Sequence, residues 1–160
     1  MDHFLAGYKA AKKAGDEVGL TVILGVEIRF METNSCDYLL YGIDENFLRS
    51  NPNMHMLTPW EFYEKFGQDI LIIQAHPFRG SNETVFIECI HGIEIENTCI
   101  RAENRNEKAL EFYKANPSLY TVRGSDTHHE GDEGKAHMLF NNLPQNGPEL
   151  MNAIISQKGC

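Results

Sequence analysis

Carboxylates and imidazoles in this sequence fall at the ends of apolar runs. Glu27 stands near the end of TVILGVEI and His76 directly follows ILIIQA. Glu94 and Glu96 lie within GIEIE, and Asp126 and His128 come shortly after YTVRG. A carboxylate and an imidazole presented side by side can chelate a divalent cation or move a proton. Asp126 and His128 are two apart, and in an extended segment residues i and i+2 point the same way. Gly124 before them permits a tight turn, and Ser125 is placed to fix the loop. His76 precedes Pro77, which keeps it out of helical geometry. A histidine fixed at a strand end suits metal binding or acid–base work. Glu27, close to Gly25, could bridge two cations.

Each of these residues also has a plainer role. His76 could be a satisfied core or surface histidine, and a lone D-x-H is a weak pattern. HHEGDE, at 128–133, reads equally as a solvated acidic loop. Glu96 with Asn97 could end a strand and cap a turn, and Arg79 and Arg123 could simply pair with nearby carboxylates. His55, His91 and His137 are assigned to structure or surface.

The elements that must position these groups alternate in period. Residues 4–17 read as a helix, with Leu5, Tyr8 and Ala11 on one side and Gly15 and Gly19 near its end. Strands are expected over 21–28, 38–43, 70–75, 92–96, 120–123 and 137–140. Pro59 suits a first helical turn, with Trp60, Tyr63 and Phe66 following at helical spacing. A further helix spans 104–116, and Leu150, Met151, Ile154 and Ile155 form the inner stripe of a last one. Strand and helix alternation with continuous apolar strands predicts a parallel sheet covered by helices, either barrel-like or open. In such folds sites are built at the strands' C-terminal ends. Several strands delivering ionisable groups to that edge is more than solvation requires.

Composition narrows the function classes. The chain has 160 residues, fitting one domain, and 42% of them are hydrophobic, which excludes a disordered tail. No run is long enough to span a membrane, and the N-terminus lacks an apolar signal core, so a cytoplasmic setting is expected. The net charge of −9, with no basic cluster beyond Lys12-Lys13, argues against nucleic acid as a partner. A small phosphorylated substrate is compatible if cations reverse the local field. Cys36, Cys89, Cys99 and Cys160 are too sparse for a disulfide scaffold, and the first three are expected to be buried thiols.

Taken in order, ILGVE, QAHPFR, GIEIEN and RGSDTHH resemble the polymerase and histidinol phosphatase (PHP) family over most of residues 1–140. That resemblance implies a partial or distorted (β/α)7 barrel holding divalent cations. By position, Glu27 matches the family's metal-bridging glutamate, His76 a metal-binding histidine, and Asp126 with His128 the closing ligand pair. Glu94 and Asn97 match a G-x-E-x-x-N segment of structural character. The implied cofactor is one or two ions of Zn²⁺, Mn²⁺ or Fe²⁺, which suit mixed imidazole and carboxylate ligands. The family's opening H-x-H motif is not present. Asp2-His3 matches the end of its next motif, making His3 a candidate ligand, and Asp37 in SCDYLLYGI stands where a further histidine is usual. The chain is therefore expected to be a single PHP-like domain, 1–160, incomplete at its N-terminus, whose exposed sheet edge favours a homodimer.

The implied reaction is hydrolysis of a small phosphate ester by metal-activated water. Glu27, His76, Asp126 and His128, with His3 and Asp37, would hold the metal. Arg79 and Arg123 would clamp the phosphate, and His129 would protonate the leaving group. The alternative is a catalytically inactive or truncated domain that binds metal or a partner.

Overall fold

The computed structural model of the protein describes residues 5, 7–31 and 35–157. His3 and Cys160 lie outside them. The chain runs α1 (Tyr8–Val18), β1 (Val26–Ile28), β2 (Tyr38–Tyr41), α2 (Glu45–Ser50), α3 (Pro59–Phe66), β3 (Leu71–Gln74), β4 (Gly92–Asn97), α4 (Asn106–Ala115), β5 (Tyr120–Gly124) and α5 (Gly147–Ser156). Single 3-10 turns occupy Met54–Met56 and Ile87–Cys89.

The five strands form one sheet in chain order. β1–β2 and β2–β3 are antiparallel, while β3–β4 and β4–β5 are parallel. This overturns the expected barrel. A (β/α)7 barrel needs about seven strands and hydrogen bonding between the first and the last. Here β1 and β5 are the two edges of an open sheet. It also corrects the wholly parallel sheet. A parallel pair needs a crossover of about a dozen residues or more, and the link from Ile28 to Tyr38 is too short to provide one.

Two strand expectations are corrected as well. Of residues 21–28 only Val26–Ile28 pair, so β1 is a short and blunted edge. Residues 137–140 form no strand. Met138 and Phe140 are instead packed against the core as irregular chain. Sequence periodicity also passed over α2, whose start is capped by the Asp44 carboxylate accepting from the Phe47 N–H at 2.7 Å.

Apolar clusters cover both faces of the sheet. On one face Ile28, Tyr38, Leu40, Ile72 and Ile93 pack with Phe62 of α3 and Phe112 of α4. On the other, Leu71, Ile73 and Val122 meet Leu150, Met151 and Ile154 of α5. Ile155 stays at the surface. The α3 start has a full capping box, Thr58 with Glu61, and Pro59 follows at its first turn. At Gly92 the parallel strands approach so closely that a Cβ would fall 2.1 Å from the Tyr120 carbonyl oxygen. His91 is structural, as expected: its Nδ1 accepts from the Ile72 N–H at 3.0 Å and its ring lies against Tyr63. Cys36, Cys89 and Cys99 are buried, reduced thiols. No described helix is long and apolar enough to cross a membrane.

Candidate metal centre

Strand direction decides which residues meet. β1, β3, β4 and β5 all end at one edge of the sheet, and antiparallel β2 begins there, since Ile28 pairs Tyr38 and Tyr38 pairs Gln74. Glu27 on β1, Asp37 just before β2 and His76 just after β3 are thereby gathered. Each offers a ligand atom within 4.8 Å of the others. His76 Nε2 lies 3.1 Å from Glu27 Oε1 and 3.8 Å from Asp37 Oδ2. Asp37 is oriented by Arg29, which donates through Nε and Nη2 to its two oxygens, both at 2.8 Å. That fork geometry matches a carboxylate well.

His76 is buried and has a backbone φ of +27°. Its position before proline predicts extended backbone, so this is a departure with a cost of about 1–3 kcal/mol. The Glu94 carboxylate supplies the reason. Its Oε2 accepts from the His76 backbone N–H at 2.8 Å and from Asn97 Nδ2 at 3.0 Å. Glu94 is itself buried, and burial pushes its carboxyl up. The Asn97 and His76 donors pull it back without cancelling that shift. Its Oε1 sits 3.0 Å from where a Cβ on Gly124 would be, which accounts for a glycine there. A register shift between Glu94 and Glu96 separates their fates. Glu94 turns into the protein, whereas Glu96 forms a surface ion pair with Arg123.

Asp126 and His128 enter the same cleft from beyond β5. Asp126 has φ +48°, a left-handed conformation that aspartate tolerates. Its Oδ2 accepts from Arg79 Nη2 at 2.5 Å and from Asn97 Nδ2 at 3.4 Å. Burial alone would raise its carboxyl. The Arg79 hydrogen bond and charge, with help from His128, outweigh burial and hold it below the usual carboxylate range. His128 Nδ1 lies 2.8 Å from the Asp126 carbonyl oxygen, and Arg101 Nη2 approaches its Nε2 at 2.6 Å. Cys99 joins Asp126 and His128 in a second group of three ligand atoms within 4.8 Å.

Glu27, Asp37, His76, Asp126 and His128 line a cleft of about 670 Å³ that also receives Arg29, Arg79 and Arg101. Of the expected site residues, Glu27, Asp37, His76, Arg79, Asp126 and His128 meet there. Arg123 does not, being spent on Glu96. His129 is exposed outside the cleft lining, with its backbone N–H on Asp132 Oδ2. Sequence reasoning passed over Arg29, Cys99 and Arg101. Arg29 carried one usable signal, its i+2 spacing from Glu27 along a strand.

The donor set fits a divalent cation. Two carboxylates and one imidazole converge at Glu27, Asp37 and His76, and the histidine backbone is pinned by a third carboxylate, Glu94, behind it. Such a set suits Zn²⁺, Mn²⁺ or Fe²⁺. No family model, curated protein or solved structure matches this chain.

Proposed function

We propose that the cleft hydrolyses a small phosphate ester with a divalent cation held by Glu27, Asp37 and His76. One observation carries the reading. Four carboxylates (Glu27, Asp37, Glu83 and Asp126), two imidazoles and three arginines, drawn from several segments of the chain, line one cleft at one sheet edge. A cation bound there supplies Lewis-acid polarisation and a water of lowered pKa. The order of ILGVE, QAHPFR, GIEIEN and RGSDTHH supports kinship with the PHP family, with the ligands carried on an open sheet. Buried reduced thiols suit a cytoplasmic protein.

The arginines divide the remaining work. Arg79 spends Nε on Asn104 and Nη2 on Asn97 and Asp126, so it positions the Asp126 loop. Arg29 aims Asp37. Arg101 is exposed at the cleft and is the arginine placed to reach a phosphoryl oxygen, replacing Arg79 and Arg123 in that role. His129 has no part in the cleft.

The test is hydrolysis of p-nitrophenyl phosphate with added Mn²⁺ or Zn²⁺, before and after Asp37→Asn. The variant is expected to lose about 100-fold or more in kcat/KM while keeping its circular dichroism, a loss at the upper end for disturbing metal ligation. Equal turnover by the variant, or by chelator-treated protein, would sink the proposal. A second reading, metal or partner binding without turnover, is favoured by the arginine already on each of Asp37 and Asp126. Stoichiometric metal with no hydrolysis of any phosphate ester would select it.

A further inference from the structure

We infer that Cys99, Asp126 and His128 form a second, thiolate-containing metal site that prefers Zn²⁺-like cations to Mn²⁺ and Mg²⁺. The inference deepens the proposed function and rests on its reading of the cleft as a divalent-cation site. What it adds is a sulfur ligand from beyond β4, behind the cleft, and two ligand groups of unequal chemistry.

Cys99 is buried, and its backbone is fixed on both sides. Its N–H donates to Asn97 Oδ1 at 2.9 Å, and its carbonyl accepts from Asn104 Nδ2 at 2.8 Å. The sulfur is thus set by the same asparagines that orient Arg79. Its ligand atom and those of Asp126 and His128 lie within 4.8 Å of one another.

The His128 tautomer follows from its two partners. A carbonyl oxygen faces Nδ1, so Nδ1 carries the proton. A guanidinium N–H faces Nε2, so Nε2 presents its lone pair. An imidazole whose far nitrogen donates to a carbonyl is the usual state of a metal-ligating histidine. The group now on that lone pair is a cation. Arg101 bonds His128 Nε2. A positive charge therefore already engages one of the three ligands, on an exposed side chain that is able to leave. Arg101 acts as a placeholder for the metal.

Donor chemistry gives the selectivity. Thiolate with imidazole favours Zn²⁺ and Co²⁺, whereas the carboxylate-rich set at Glu27, Asp37 and His76 also accepts Mn²⁺.

Titration with Co²⁺, a coloured substitute for Zn²⁺, tests this directly. The full chain should bind two equivalents, one of them with a sulfur-to-cobalt charge-transfer band. Cys99→Ser should lose that band and bind Zn²⁺ at this site at least about tenfold more weakly, since losing a ligand costs no less than losing its support. The combined Cys36→Ser, Cys89→Ser and Cys160→Ser variant should keep the band. Arg101→Ala should bind Zn²⁺ more tightly there, an effect that misfolding cannot produce. Co²⁺ binding without a sulfur band, or a band that survives Cys99→Ser, would overturn the second site and leave the proposed function standing if Asp37→Asn still removes an equivalent. Unchanged or weaker Zn²⁺ binding by Arg101→Ala would overturn it too. No metal binding at all would overturn both.

Discussion

Replacing Glu94 by alanine tests how His76 is held in its strained pose. Glu94 Oε2 is shared by two buried donors, the His76 backbone N–H and Asn97 Nδ2. Truncation leaves both without that acceptor, at about 1–3 kcal/mol each, or about 2–6 kcal/mol together. Two effects offset part of the loss. A costly buried carboxyl is removed, and His76 can relax from φ +27°, releasing up to about 1–3 kcal/mol. The expected net destabilisation in urea is about 2–3 kcal/mol. The relaxed His76 no longer presents Nε2 beside Glu27 and Asp37, so affinity for Mn²⁺ should fall about 10–100-fold.

Glu94→Gln separates the charge from the hydrogen bonds. The amide oxygen can take over the Oε2 position and accept from both donors, so at neutral pH its stability should stay within about 1 kcal/mol of the parent or exceed it. The pH dependence has a definite sign. Burial raises the Glu94 carboxyl above its unfolded value of 4.5, so over that interval the native state holds more protons than the unfolded one. The parent's stability is favoured below 4.5 and is lost as pH rises through the native value. The glutamine variant lacks this titration and should gain on the parent as pH climbs. Urea midpoints across the acid range, paired with calorimetric Mn²⁺ titration, measure both effects. If Glu94→Ala stays within 1 kcal/mol of the parent and binds Mn²⁺ undiminished, the account of His76 is wrong.

Two further perturbations address the scaffold. Gly92→Ala would drive a Cβ to 2.1 Å from the Tyr120 carbonyl and 2.8 Å from Ile73 Cδ1, separating β4 from β5. A loss of about 3 kcal/mol in urea is expected, and an unperturbed midpoint would mean the strands are farther apart than described. His91 is held neutral, since burial lowers its pKa more than the Gly67 backbone bond raises it. Its contribution is present above the ordinary imidazole value of about 6.5 and is lost as pH falls below it. The urea midpoint should therefore decline below that pH, and His91→Gln should flatten the decline.

The sequence reveals this site unevenly, for reasons that lie in strand direction. β3 and β4 were legible because strands buried on both faces read as apolar runs, and the ionisable groups at their ends mark the edge where sites form. β1 was overextended because TVILGVEI is just as apolar, although only its last turn of the pleat finds a partner. Met138 and Phe140 read as strand for the same reason: burial against the core makes a short apolar segment, and periodicity cannot say whether it also pairs. Cys99 and Arg101 lie beyond β4, where the backbone is fixed by asparagine side chains, and side-chain bonds of that kind leave no period to read. Asp37 is the instructive case. Its resemblance to a ligand position was loose, and nothing in SCDYLLYGI marks it. What brings it to the cleft is the reversal of β2, which makes the first residues of one strand neighbours of the last residues of the next. That reversal was present in the sequence as a length. The stretch between Ile28 and Tyr38 cannot carry the chain back for a parallel crossover, so β2 had to run against β1. The length of that link excludes the wholly parallel sheet and sets Asp37 beside the end of β1, near Glu27; its meeting with His76 depends on the β2–β3 pairing, which the long stretch from Tyr41 to Leu71 does not fix.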